Sequence, residues 1–491
     1  MKRRKALKNI GLGVTAGLAL PWLNSCSDDN SGPEIKYDGV VGIIGAGAAG
    51  LYAADYLLAK GIKVKIYEAS PRIGGRVRAV RISDPIFSRL IADFPVELGA
   101  DRIIGSDSEL GNIVNLLRVP TIDFRGGNTN AIDKYLLDNL YKTYAEIQND
   151  PDIVSLTNFK NNILPGYTGA GSVQTAAALP ARVNAILNSW LGNPYGSSAN
   201  RISAQALGEA LSMIEHDGKE LTLDINPLSD ILLSRFSEAA ERVQLQKAIE
   251  SIDYSGDTIS LSVKDVASGS VSTEVVNKLI VTVPISLLKS GDITFSPALP
   301  GSKTTAMSRI GMDASIRVIL EFSRNDIFGA DTAFIFGGKE SPSAFLTGSG
   351  RSGVNGNRTF SFTINGPKAE ELTGKTDLEK VQQILAELDA VTKADLVTPA
   401  LYATRDVRKT DTDQIIYVVQ DWTKEPYIKG GQSYPLVGGT NADRVELAAP
   451  VGESLYFAGE ATDVTGEFGT INGALKSGKR AAEELITSIT G

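Results

Sequence analysis

Residues 40–68 admit few folds other than a nucleotide-binding β-α-β unit. The run VVGII from Val40 reads as a buried strand, and Gly45-Ala46-Gly47-Ala48-Ala49-Gly50 as a turn entering a helix. LYAADYLLAK continues that helix to Gly61, and the alternating IKVKIY is a second strand ending at Glu68. The three glycines answer three steric demands: Gly45 turns tightly, Gly47 lets backbone N–H groups approach a pyrophosphate, and Gly50 lets helix and strand pack closely. The helix N-terminus adds unpaired N–H groups and the positive end of its dipole. Glu68 stands 23 residues after Gly45, where a carboxylate grips ribose hydroxyls. A bound dinucleotide and an α/β fold are expected.

The rest of the composition narrows the chemistry. At 491 residues the chain exceeds one ordinary core, so two domains or a large composite are expected. With 42% apolar and 22% charged residues it can bury enough surface to exclude global disorder. A net charge of −8 lacks the basic footprint of a nucleic-acid binder. The one cysteine excludes an intramolecular disulfide, an iron–sulfur cluster and a thiolate-rich metal site, and the one histidine argues against zinc and a Ser-His-Asp triad. No metal site is expected. His216, in the polar stretch IEHDGKEL, reads as structural or solvent-exposed. An enzyme so poor in ligands and bases would rely on an organic cofactor.

Residues 1–25 read as an export signal: Lys2-Arg3-Arg4-Lys5 and Lys8 precede the apolar run Ile10–Leu20, which is too short to span a bilayer. The basic stretch resembles a twin-arginine signal, although Ala6 stands where such signals carry a bulky apolar residue. Leu23-Asn24-Ser25-Cys26 resembles a bacterial lipobox, which implies lipidation of Cys26 and a membrane anchor. Residues 26–36 then form a polar tether. Loss of 1–25 removes five cations and no acids, so the mature charge falls from −8 to −13. The expected location is the periplasmic or cell-surface side of a bacterial membrane.

After Glu68, the stretch Glu68-Ala69-Ser70-Pro71-Arg72-Ile73-Gly74-Gly75-Arg76 resembles the signature of the flavin-dependent amine oxidases, a family that spans monoamine, polyamine and L-amino acid oxidases. Four further stretches follow in the family's order. They are Val96-Glu97-Leu98-Gly99-Ala100, Arg242-Val243-Gln244-Leu245, FSPALPGSK at 295–303, and Trp422 with Gly430-Gly431 ahead of YFAGEATDVTGEFGTINGALKSGKRAA at 456–482. The resemblance implies FAD, held without a covalent bond because Gln432 stands where covalent members carry cysteine. It implies cofactor contacts at Gly45, Gly47, Ala48, Ala49, Gly50, Glu68, Ala69 and Arg76, at Gly99, Ala100, Val243 and Trp422, and at Gly459, Glu460, Gly469, Thr470 and Ile471. It places Lys303 near the flavin as the catalytic lysine. Without the family, residues 456–482 still read as a buried strand, a carboxylate, a Gly-bearing loop and a small-residue helix, a natural ligand site in an open α/β sheet.

The same resemblance frames the substrate. Ser433 and Thr470 fall where monoamine oxidases line the amine path with tyrosines, so that aromatic cage is expected to be absent. Arg102 falls where L-amino acid oxidases grip the substrate carboxylate, and Asp101 beside it could blunt that grip. The organisation expected is a Rossmann-like FAD-binding domain assembled from 37–105, 235–300 and 422–491, and an α+β substrate domain with a mixed sheet and helices from 106–234 and 301–421. The reading is an FAD-dependent oxidase of an amine or L-amino acid, giving an imine while O2 is reduced to H2O2. A homodimer is a further expectation. Two alternatives stay open at this point: a flavin-dependent desaturase or isomerase of a lipid-like substrate, and a non-catalytic flavin-binding lipoprotein.

Overall fold

The computed structural model describes residues 34–81, 83–123, 132–324, 328, 332–348, 358–394 and 403–491. The segment read as an export signal, Cys26 and most of the expected tether lie outside the described residues.

The strand Val40–Ile44 is apolar on both faces, which suits the centre of a parallel sheet. It is the middle of five parallel strands in the order Leu455–Phe457, Lys278–Val281, Val40–Ile44, Lys63–Tyr67 and Val243–Gln244. Helices from opposite ends of the chain, Ala48–Leu58 and Ile471–Thr490, cover one face. Leu51, Leu57, Leu475 and Leu485 are fully buried there, each such side chain stabilising the fold by about 1.5–3 kcal/mol. A four-stranded sheet built from residues 247–296 covers the other face through Ile249, Ile252 and Leu261.

The second large sheet has seven strands and mixed direction. Its order is Tyr417–Asp421, Ser315–Glu321, Thr359–Asn365, Ser343–Leu346, Thr332–Phe336, Ile132–Leu137 and Leu140–Thr143, with one parallel pair at Thr332–Phe336 and Ile132–Leu137. Every residue of Ser315–Glu321 is buried. Ile316, Val318 and Leu320 point into the core under the helix Asp377–Ala394. The period of two turns Ser315, Arg317 and Ile319 to the opposite face.

The domain division differs from the expectation in one respect. The helices Glu109–Leu116 and Leu228–Arg235 and the strand Glu220–Leu223 put Leu110, Val114, Leu223, Ile231 and Leu232 into the core of the parallel sheet, although 106–234 reads as substrate domain from sequence. An amphipathic helix declares that it has a buried face without naming the core that receives it.

Candidate active site

A cavity of about 1480 Å3 runs from the end of the parallel sheet to the seven-stranded sheet. At its inner end the turn after Val40–Ile44 arrives with Gly45 at φ +102°, and a Cβ on Gly50 would stand 2.0 Å from the Gly45 carbonyl oxygen. Only glycine fits there. Gly47 caps the helix Ala48–Leu58 with no side-chain hydrogen bond, and a Cβ on it would meet nothing within 4 Å. Gly47, Ala48 and Ala49, at the start of that helix, line the cavity. Glu68 orders the next segment: Oε2 accepts from Ala46 N–H at 2.8 Å and Oε1 from Ser70 N–H at 2.9 Å.

Arg76 and Glu460 form the middle of the cavity. Arg76 Nη1 donates to Glu460 Oε1 at 2.8 Å and to the Gly431 carbonyl at 2.7 Å. Glu460 Oε2 accepts from Ser433 Oγ at 2.6 Å and from Gly469 N–H at 2.8 Å. Burial works to raise the Glu460 carboxyl, but Arg76, the Ser433 hydroxyl and buried Arg444 outweigh it and hold the group below its ordinary value. Gly99 passes so close that a Cβ would stand 1.8 Å from the Arg76 carbonyl oxygen, and Trp422 Nε1 donates to the Leu98 carbonyl at 3.0 Å. Thr470 caps the C-terminal helix through Gly473 N–H, leaving Ile471 and Asn472 at the cavity wall.

Most of the residues expected at a cofactor come together here. Gly45, Gly47, Ala48, Ala49, Glu68, Ala69, Arg76, Gly99, Ala100, Trp422, Gly459, Glu460, Gly469, Thr470 and Ile471 all line the cavity. Gly50 acts from behind through helix packing. Val243 does not line it; its short strand pairs with Ile66 and delivers Gln246 and Lys247 to the wall instead. Two helix N-termini, the first without a side-chain cap, an open glycine cradle and the Glu68 carboxylate along one cleft fit a flavin dinucleotide.

The outer part of the cavity is a chamber against the seven-stranded sheet. Tyr135, Trp190, Tyr195, Phe334, Phe336 and Phe345 supply its aromatic wall, while positions 433 and 470 carry no ring. Phe334 and Phe336 stack at 5.2 Å and 8°. A chain of ions crosses the chamber: Arg317 binds Asp101 and lies 3.2 Å from Ser361 Oγ, Asp101 accepts from Arg102 Nε at 3.2 Å, and Arg102 Nη1 donates to Glu220 at 2.6 Å. The Arg102 guanidinium also lies 5.5 and 5.4 Å from the ring centres of Phe334 and Phe345. Burial disfavours its charge, but Glu220 and Asp101 more than compensate and hold its pKa above the ordinary value.

Two expectations are corrected. Lys303 is buried away from the cavity. Its Nζ donates to the carbonyls of Glu446, Leu447 and Ala449 at 2.9, 2.9 and 2.7 Å, closing the C-terminal end of the helix Asn441–Ala448, and it sits 4.2 Å from the Phe457 ring centre. Exposed carbonyls at a helix end attract a cation, and the helix Gly301–Ser308 turns Lys303 toward them. Ser433 is fully buried and serves Glu460, not a substrate. His216, read as structural or solvent-exposed, is half-buried at the cavity wall with its Nε2 3.5 Å from Glu467 Oε1. The cation that does reach the chamber from this part of the chain is Arg317. Its signal is a cation in the middle of the otherwise apolar run SIRVIL, where a buried charge demands a partner.

The chain matches the model of the flavin containing amine oxidoreductases over residues 48–187 and 195–486. It is 26% identical to the L-amino-acid oxidase of Pseudechis australis, with 95% of each chain covered. It is also 26% identical to human lysine-specific histone demethylase 2 over 92% of this chain and 54% of that protein, so it spans about half the length of that relative. Among solved structures, cyclohexylamine oxidase from Brevibacterium oxydans IH-35A shares the fold at a TM-score of 0.72 and 19% identity, covering 92% of this chain and 99% of that one. Putrescine oxidase bound to putrescine matches at 0.70 and 16%, covering 91% and 99%. With glycine turn, Arg76–Glu460 pair and two helix N-termini along one cleft, the chain belongs to the flavin-containing amine oxidoreductase family and takes FAD as its cofactor.

Proposed function

We propose that the protein is an FAD-dependent oxidase of amines that have an apolar body and no carboxylate. The observation that carries this reading is the state of Arg102: its guanidinium is bound by Asp101 and Glu220 and flanked by Phe334 and Phe345. A substrate carboxylate would have to displace two carboxylates already in place, and like charges at that distance repel. The aromatic wall favours an apolar or ring-bearing substituent. FAD held there without a covalent link would supply the two-electron chemistry of an amine oxidase, in which the amine becomes an imine that water hydrolyses and O2 becomes H2O2.

The residues of the chain bind, orient and exclude. Glu68, Arg76 and the two helix N-termini would hold the dinucleotide; Glu460, fixed between Arg76 and Arg444, keeps the middle of the cleft rigid. Arg317 and Arg102 anchor the chamber floor, and the aromatic wall sheds water from the reacting amine. Anaerobic bleaching of flavin absorbance tests the reading. Carboxylate-free arylalkyl- or cycloalkylamines should bleach it, with recovery and peroxide on readmission of air. Bleaching by L-amino acids alone would overturn the substrate class, and no bleaching by any amine would favour a desaturase. Export and lipidation at Cys26 complete the proposal and rest on the sequence pattern of residues 2–26.

A further inference from the structure

Behind the chamber wall sits a carboxyl group for which binding and orientation give no use. Glu97 is buried; its Oε1 accepts from Leu228 N–H at 2.8 Å, while its Oε2 has no hydrogen-bond partner among the described residues. A bare carboxylate oxygen in the interior is costly, and such a group relieves the cost by holding a proton. Burial pushes the Glu97 carboxyl up to about 8; the Leu228 amide, Arg81 and Arg317 oppose the rise and Asp101 adds to it.

Glu97 also borders a second cavity of about 20 Å3, shared with Asp101, Arg102 and Thr222. That is room for one water with polar partners. Asp101 and Arg102 border the main chamber too, so this pair forms the partition between the two spaces. The charges around Glu97 balance in pairs: Arg317 with Asp101, Arg102 with Glu220, and Arg81 with Asp230 at 2.7 Å. The proton on Glu97 therefore decides whether the cluster is neutral or carries one negative charge.

We propose that Glu97 is the proton acceptor of the chamber, linked to Asp101 by a water in the small cavity, and that it takes the proton a cationic amine must lose before its α-carbon can give up a hydride. The inference rests on the amine-oxidase reading. One N–H bond of the ammonium breaks, its electron pair stays on nitrogen, and an O–H bond forms at Glu97 Oε2; the amine loses its positive charge as Glu97 loses its negative one. Asp101 passes the proton and does not store it. Although burial works to raise the Asp101 carboxyl, Arg317 and Arg102 hold it below the usual range. Glu97, which has no salt-bridge partner among the described residues and whose Oε2 has no hydrogen-bond partner there, keeps the proton.

The test uses the FAD-loaded protein and Glu97→Gln, which preserves shape and abolishes titration. Infrared spectra of the wild type should show a protonated-carboxyl band that disappears as pH rises through about 8, and the variant should lack it. Anaerobic reduction of the flavin by 2-phenylethylamine should accelerate through the same ionisation in the wild type. In Glu97→Gln that limb should vanish, with reduction slowed about 100-fold, as expected for loss of a general base. Should Glu97→Gln not fold, the wild-type titration and Glu97→Asp decide, the aspartate keeping a titrating band but slowing reduction. A wild type without the band, or variants with the wild-type pH profile, would overturn the relay. If no amine bleaches the flavin, the relay falls together with the oxidase reading; a missing band with intact amine reduction removes the relay alone.

Discussion

Arg76 Nη1 lies 2.8 Å from Glu460 Oε1, joining residues 384 positions apart across the middle of the cleft. The pair is half of a larger arrangement, because Arg444, itself 1% exposed, reaches the other side of Glu460 through Ser433 Oγ at 2.9 Å. One carboxylate thus answers two guanidiniums, with Ser433 and Gly469 N–H occupying the lone pairs that remain. A buried carboxylate so fully satisfied is rigid.

Replacing Glu460 with alanine removes the carboxylate that Arg76 binds in the cleft and that the buried Arg444 faces from behind. Breaking a buried pair in this way costs about 3–5 kcal/mol. The expected result is a lower Tm and flavin lost on gel filtration, with Glu460→Gln milder. An alanine variant that keeps flavin and wild-type stability would contradict this account.

Lys303→Met should destabilise the protein by about 1–3 kcal/mol by orphaning three carbonyls at a helix end, and should leave amine-dependent flavin bleaching at the wild-type rate. Burial first, with Arg480 assisting and Glu446 opposing, draws the lysine down to about 8 from 10.5. Between those values the unfolded chain holds a proton that the native protein has released, so wild-type stability gains on the variant as pH rises through that window. A bleaching rate that collapses in the methionine variant would return Lys303 to the chemistry.

Arg102→Ala should impair amines and L-amino acids by similar factors, because its guanidinium already serves Asp101 and Glu220. The measurement is kcat/KM for each class. A loss confined to carboxylate-bearing substrates would establish a carboxylate grip and overturn the proposed substrate class.

Phe336→Ala should raise KM about tenfold for ring-bearing amines, the loss of about 1.4 kcal/mol of apolar contact, and barely affect the smallest alkylamines. Equal effects on both would show that the stacked pair with Phe334 shapes the fold alone.

Cys26→Ala should abolish acylation and release the protein from membranes, read by metabolic labelling with a fatty acid and by fractionation. Retention of the label would refute the lipobox reading.

The β-α-β entry was legible from residues 40–68 because its demands are local: a glycine where a Cβ would strike the Gly45 carbonyl, and apolar residues at the helical and strand periods. The carboxylate ending the strand Leu455–Phe457 and the helix from Ile471 were legible for the same reason. Lys303 was misplaced because spacing along the chain does not say which way a helix turns its side chains; the uncapped end of Asn441–Ala448 decided that. Arg317, the Asp101–Arg102–Glu220 chain, the aromatic wall and the unpartnered oxygen of Glu97 come from strands and loops more than a hundred residues apart in places. The sequence by itself determined the dinucleotide cleft, which short-range sterics dictate. Only the tertiary structure decided the substrate chamber, because its charges acquire partners, and its carboxyls their protons, from the burial and neighbours that folding creates.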